Sequence, residues 1–138
     1  MTTTINANTT AGLVYSADTS GIIKVQSNGV ATNALAWVNF NGSGTVAIRS
    51  AYNVSSITDN GTGDYTINFT TAMSDANYAA QLTGGDFSTT GGDNPAVYTS
   101  ATTAPTTSSL RINTMNGGPV NGAYFVDLNR VSVAIFGN

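Results

Sequence analysis

Between Ser56 and Phe69 the chain reads Ser-Ile-Thr-Asp-Asn-Gly-Thr-Gly-Asp-Tyr-Thr-Ile-Asn-Phe, with Tyr65, Ile67 and Phe69 alternating with Thr66 and Asn68. A period of two puts the apolar side chains on one face of a strand and the polar ones on the other, so one side is core and one side is wet. The cluster Asp59, Asn60, Gly61, Thr62, Gly63, Asp64 between the two runs predicts a hairpin turn, because Asn and Gly tolerate the positive φ that tight turns need. The pair Gly61 and Gly63 predicts a bulged connection rather than a minimal one.

The same grammar extends along the chain. Leu13–Tyr15 and Ile22–Gln26 read as short strands joined by an Asp- and Gly-bearing turn, and Ser27-Asn28-Gly29 as a second turn. Leu35–Phe40 and Thr45–Arg49 read as a hairpin around Asn41-Gly42-Ser43-Gly44, with both faces of the first strand apolar enough to be covered. Trp37, the sole tryptophan, has an aromatic face that would stack on a sugar, but a mid-strand Trp among apolar neighbours reads as core. Thr71–Asn77 has room for one helical turn, and Tyr78–Leu82 resumes as a strand. Thr83–Ser108 then reads as a long irregular loop, its Pro95 and Pro105 discouraging central-strand pairing. Leu110–Asn113 returns as a strand, Asn116-Gly117-Gly118-Pro119 and Asn121-Gly122 read as turns, and Tyr124–Asn129 and Arg130–Phe136 as two final strands. About ten short strands with frequent turn signals predict an all-β chain. The expected architecture is a single antiparallel β-sandwich, jelly-roll-like, over residues 12–138, preceded by an extended N-terminal arm over residues 1–11.

The stretch Ala36–Ala80, AWVNFNGSGTVAIRSAYNVSSITDNGTGDYTINFTTAMSDANYAA, resembles a module recurring in tailed-bacteriophage virion proteins, especially tail-fibre ends and related appendages. It covers about a third of the chain, and LVYSADTSGIIKVQ at Leu13–Gln26 more loosely resembles the opening of other phage fibre segments. The resemblance implies a structural, trimeric, β-rich virion part with no catalytic residues to carry over, made in the host cytoplasm. Such modules occur in fibres, spikes and capsid decorations alike.

Composition narrows the chemistry. Charged residues are 8% of the chain and the net charge is -3, so the polar exterior must be built mainly from Thr, Ser and Asn. Four scattered basic residues cannot neutralise a run of phosphates, which argues against nucleic acid as a partner. No apolar run is long enough to span a membrane, and the start Met1-Thr2-Thr3-Thr4 lacks the basic and apolar segments of a signal peptide. The absence of Cys and His removes disulfides, thiol and Ser-His-Asp chemistry and the usual zinc sets. Asp18-Thr19-Ser20-Gly21 departs from the aspartic-protease spacing by one residue, and a two-Asp glycosidase needs a long groove and a larger chain. The chain therefore reads as non-enzymatic, with no cofactor. Asp59 to Asp64 offers oxygens at short spacing but lacks the EF-hand pattern, and reads as a turn rather than a calcium site. Asn53-Val54-Ser55 and Asn68-Phe69-Thr70 match glycosylation acceptors without a secretory context.

Assembly is the positive expectation. Sheet edges need protection, this chain has one Lys and few charges to supply it, and a second subunit is the expected cover. In the arm, the burial of Ile5 contributes about 1.5–3 kcal/mol while fixing eleven backbone units costs roughly 1 kcal/mol or more each. Thr2, Thr3, Thr4, Ile5 and Asn6 are therefore expected to order only against a neighbouring subunit or capsid. Read as complete from Met1, the chain has no shaft or tail-attachment domain, which favours a homotrimeric capsid decoration (cement or head-fibre) protein contacting the major capsid protein. The rivals are a tail-fibre or adhesin tip that binds a host glycan through Thr83–Ser108, and a carbohydrate-binding module of a bacterial surface protein.

Overall fold

The computed structural model describes residues 25–27, 30–85, 94–118 and 122–137. Among them every element is a strand: β1 Gln26–Ser27, β2 Val30–Ala31, β3 Ala36–Asn41, β4 Ala47–Tyr52, β5 Val54–Gly61, β6 Asp64–Phe69, β7 Ala79–Gly85, β8 Asn94–Thr99, β9 Ser109–Gly118, β10 Gly122–Phe125 and β11 Arg130–Phe136. All pairings are antiparallel. One sheet has the order β4-β3-β11-β7. The other has β5 beside β6 and β6 beside β9, with β10 also pairing β9 and β8 pairing its opposite side. The chain is thus all-β, a sandwich of two packed antiparallel sheets.

Alternation builds the core. Ala36, Val38 and Phe40 of β3 and Val131, Val133 and Ile135 of β11 face Tyr65, Ile67 and Phe69 of β6 and Leu110 and Ile112 of β9, all buried. Burying such side chains at roughly 25 cal/mol per Å² of apolar area is what holds two sheets face to face. Edge-on aromatic pairs cross the interior, Phe40 with Tyr65 at 5.3 Å and Phe69 with Tyr78 at 5.7 Å between ring centroids. Leu35, Met73 and Leu128 close the core from connecting segments.

Several expectations need correction. Thr71–Asn77 contains bends and no helical turn. The segment 83–108 is not one irregular loop: β7 runs on to Gly85 and β8 occupies Asn94–Thr99. Pro95 fits because β8 pairs only with β9 and so lies at an edge, where a missing N–H breaks no second ladder. Asn116, Gly117 and Gly118 belong to β9 rather than to a turn, since β8 on one side and β10 on the other fix their backbones. β10 ends at Phe125, short of the expected Asn129, because Val126–Asn129 carries the chain across to the other sheet. The expected arm over residues 1–11, with Thr2, Thr3, Thr4, Ile5 and Asn6, and the strand Leu13–Tyr15 lie outside the described residues.

Edge protection also takes a form the composition does not reveal. The pairing of β3 with β4 shifts register at Asn39/Phe40, and that of β5 with β6 shifts at Val54/Ser56 and again at Asp59/Gly61. These bulges twist the outer strands β4 and β5 away from flat pairing, a device that needs no Lys, while the outer strands β7 and β8 pair without a shift.

Candidate functional site

The predicted turn is present. Thr62 and Gly63 connect β5 to β6, Gly61 and Gly63 have φ of 129° and 65°, and the register shift at Asp59/Gly61 is the expected bulge. Its side chains are consumed locally: Asp59 accepts the Gly61 N–H at 2.9 Å, and Asn60 donates to Thr66 Oγ1 at 2.9 Å. Asp64 takes a two-pronged contact from the Arg111 guanidinium, with Nε at 2.8 Å. That hydrogen bond holds the Asp64 carboxyl below the usual carboxylate range and raises Arg111 in turn. Asp75 accepts the Asn77 N–H. Among the described residues no three acidic side chains gather.

Two polar pins that the sequence does not advertise hold the sandwich at its opposite ends. At one end Asp127 Oδ1 accepts the Gly63 N–H at 2.7 Å and lies 2.6 Å from the Tyr65 hydroxyl. Tyr65 has one proton and gives it to this carboxylate, the Gly42 carbonyl being farther at 3.1 Å. Burial first, and the Asp127 carboxylate second, push the Tyr65 hydroxyl far above its ordinary range. A Cβ on Gly63 would meet the Thr114 carbonyl and one on Gly42 the Tyr65 side chain, so glycine at 63 lets the turn close on β9 and glycine at 42 lets the two sheets approach. At the other end Asn53 turns the chain from β4 to β5 at φ 55°, a conformation that asparagine tolerates. Its amide donates to the Leu35 and Thr71 carbonyls, each at 3.1 Å, and accepts the Thr71 N–H. Nearby the hydroxyl of the half-buried Tyr78 donates toward the Thr106 and Ser109 carbonyls, each at 3.1 Å, and desolvation pushes it up to about 12.

The two outer faces differ. On the β5-β6-β9 face the polar side chains bond one another: Asn68 donates to Ser56 and Thr58, both at 3.0 Å, beside the Asn60–Thr66 and Asp64–Arg111 contacts. On the other face the register places Tyr52, Trp37, Ala134 and Gln81 in one row and Ser50, Asn39, Ser132 and Thr83 in the next. Trp37 is 38% exposed here, not core: the inward side of β3 is filled by Ala36, Val38 and Phe40, and alternation sends Trp37 outward. Because Ala134 is small, the surface dips between Trp37 and Gln81 into an open groove of about 240 Å³, its polar lining supplied by Asn39, Gln81, Thr83 and Ser132. No charged side chain lines it.

A different surface lies at the Asp127 end. β10 is exposed along its length, carries Tyr124 at 46% and Phe125 at 52% exposure, and pairs β9 without a register shift. No protein-family description, curated protein or solved structure significantly matches the chain.

Proposed function

We propose that this chain is a non-enzymatic structural protein of a tailed-phage virion, a homotrimeric capsid decoration protein that packs through its β10 end. The observation that carries the reading is β10 itself: the two most exposed aromatic rings among the described residues occupy successive positions of an edge strand with no bulge, one on each of its faces, and both stay uncovered. The outer strands β4 and β5 are bulged, whereas β7 and β8 pair regularly as β10 does but carry no aromatic ring as exposed as Tyr124 or Phe125. Water is a poor neighbour for two such rings, and covering them with a second subunit buries apolar area at no cost in desolvated charge. With four residues β10 is too short for extended strand addition, so side-chain packing dominates the contact. The resemblance of Ala36–Ala80 to phage appendage modules supports the virion assignment. The non-enzymatic reading draws on the carboxylates Asp59, Asp64, Asp75 and Asp127, each engaged in holding its own turn, strand or crossing.

A second reading, a tail-fibre or adhesin tip, is favoured by the outward Trp37, which a purely decorative module does not require. Cryo-electron microscopy of the parent particle separates the two. Density repeated over the capsid lattice supports decoration, density confined to the tail supports the tip, and absence from the particle overturns both.

A further inference from the structure

We infer that the groove floored by Ala134 and Ser132 and walled by Trp37 and Gln81 is a binding subsite for an uncharged pyranose unit of a glycan. A pyranose ring has an apolar face of C–H bonds and a rim of hydroxyls. A tryptophan ring matches the first, and amide and hydroxyl side chains match the second. The exposed surface of the groove is nearly all apolar, with Trp37 on one wall to meet the C–H face, and the residues lining it include Asn39, Gln81, Thr83 and Ser132, of which Asn39 and Ser132 already bond each other. The absence of charged lining selects a neutral sugar over a sialic or uronic acid, because a carboxylate would be desolvated there without a cation to meet it.

Rigidity adds to the argument. Every wall residue stands on a strand, and Asn39 is fixed by donating to Ser132 Oγ at 2.8 Å and more weakly to the Val131 carbonyl at 3.4 Å. Side chains already held in place cost little further ordering when a ligand arrives. A peptide strand is excluded as the occupant, since β11 is paired on both sides and has no free ladder bonds to offer. Apart from Thr83 the site lies outside 83–108, where the sequence placed glycan recognition, and it holds whether the module sits on the capsid or the tail.

Trp37 is the sole tryptophan, so its fluorescence reports on the groove directly. The full chain is titrated with neutral malto-, cello-, chito- and galacto-oligosaccharides, with sialyllactose and oligogalacturonate as acidic arms, and heats are measured in parallel. The expected result is saturable change with at least one neutral series and none with the acidic ones. Calorimetry then finds binding weakened at least about tenfold by Trp37→Ala and by Ala134→Leu, which fills the dip from the outer face without entering the core, and unchanged by Asn68→Ala on the opposite face. Four outcomes overturn the proposal: no neutral series binding up to about 10 mM, acidic sugars binding equally well, binding that survives Ala134→Leu in a folded protein, or Trp37→Ala lowering the oligomeric state with no sugar bound, which makes the face an interface between copies.

Discussion

The outer faces of the two sheets both draw on Ser, Thr and Asn, yet one adds an Asp–Arg pair and the other an exposed tryptophan, and they finish differently. On β5, β6 and β9 nearly every polar group bonds a neighbour two strands or less away, so the face is complete without a partner. On β3, β11 and β7 the Asn39–Ser132 bond is flanked by Trp37, Ala134 and Gln81, whose rows leave a dip with an aromatic wall. A hydroxyl- and amide-rich composition therefore does not by itself define a surface. What shapes the groove face is side-chain size along a row, Ala134 standing small between Trp37 and Gln81.

The sharpest way to break this contrast is to compare the two sides of β3. Phe40→Ala, from the inner side, is expected to cost about 3–5 kcal/mol by removing a fully buried ring, and Trp37→Ala, from the outer side, about 1–2 kcal/mol. Urea denaturation of the two variants measures both. Equal costs would place Trp37 in the core and remove the groove's wall.

The next contrast lies within the hairpin of the self-bonded sheet. Gly63→Ala combines a left-handed backbone with collision against the Thr114 carbonyl, and is expected to lose about 3 kcal/mol or more. Gly61 also has positive φ but open space around it, so Gly61→Ala is expected to lose about 1–2 kcal/mol. Thermal melts that rank them the other way would mean that the turn is held by conformation alone rather than by its packing on β9.

The smallest effect is electrostatic and belongs to the same face. The Asp64 carboxyl is depressed by Arg111, so its contribution is present above the ordinary carboxylate range and is lost as pH falls through its lowered folded value. The melting temperature of Asp64→Asn is therefore expected to lie below that of the parent chain at pH 7, with the gap closing at strongly acid pH. A gap independent of pH would assign the loss to geometry rather than to charge.

Much of this was legible in the sequence where periodicity is local. The run Val131, Val133, Ile135 marks β11 at its observed bounds, and the Asp59–Asp64 cluster marks the bulged turn. Trp37 was legible too, since Ala36, Val38 and Phe40 define the inward side of β3, but its bulk hydrophobicity argued for core against its phase. β8 and the end of β9 were hidden because Pro95, Gly117 and Gly118 have turn-forming preferences that pairing overrides. Asp127 and Asn53 could not be read at all: the first meets Gly63 and Tyr65 more than sixty positions away, and the second meets Leu35 and Thr71, each eighteen away.

The central claim is that β10 is a surface made to be covered by another copy of the chain. Light scattering coupled to size exclusion, applied to the full chain and to the double variant Tyr124→Ser/Phe125→Ser, tests it most directly. The account predicts three chains per particle for the parent protein and one for the variant, which keeps its β-sheet circular dichroism. A parent protein that stays monomeric at micromolar concentration, or a variant that assembles as well as its parent, would contradict it.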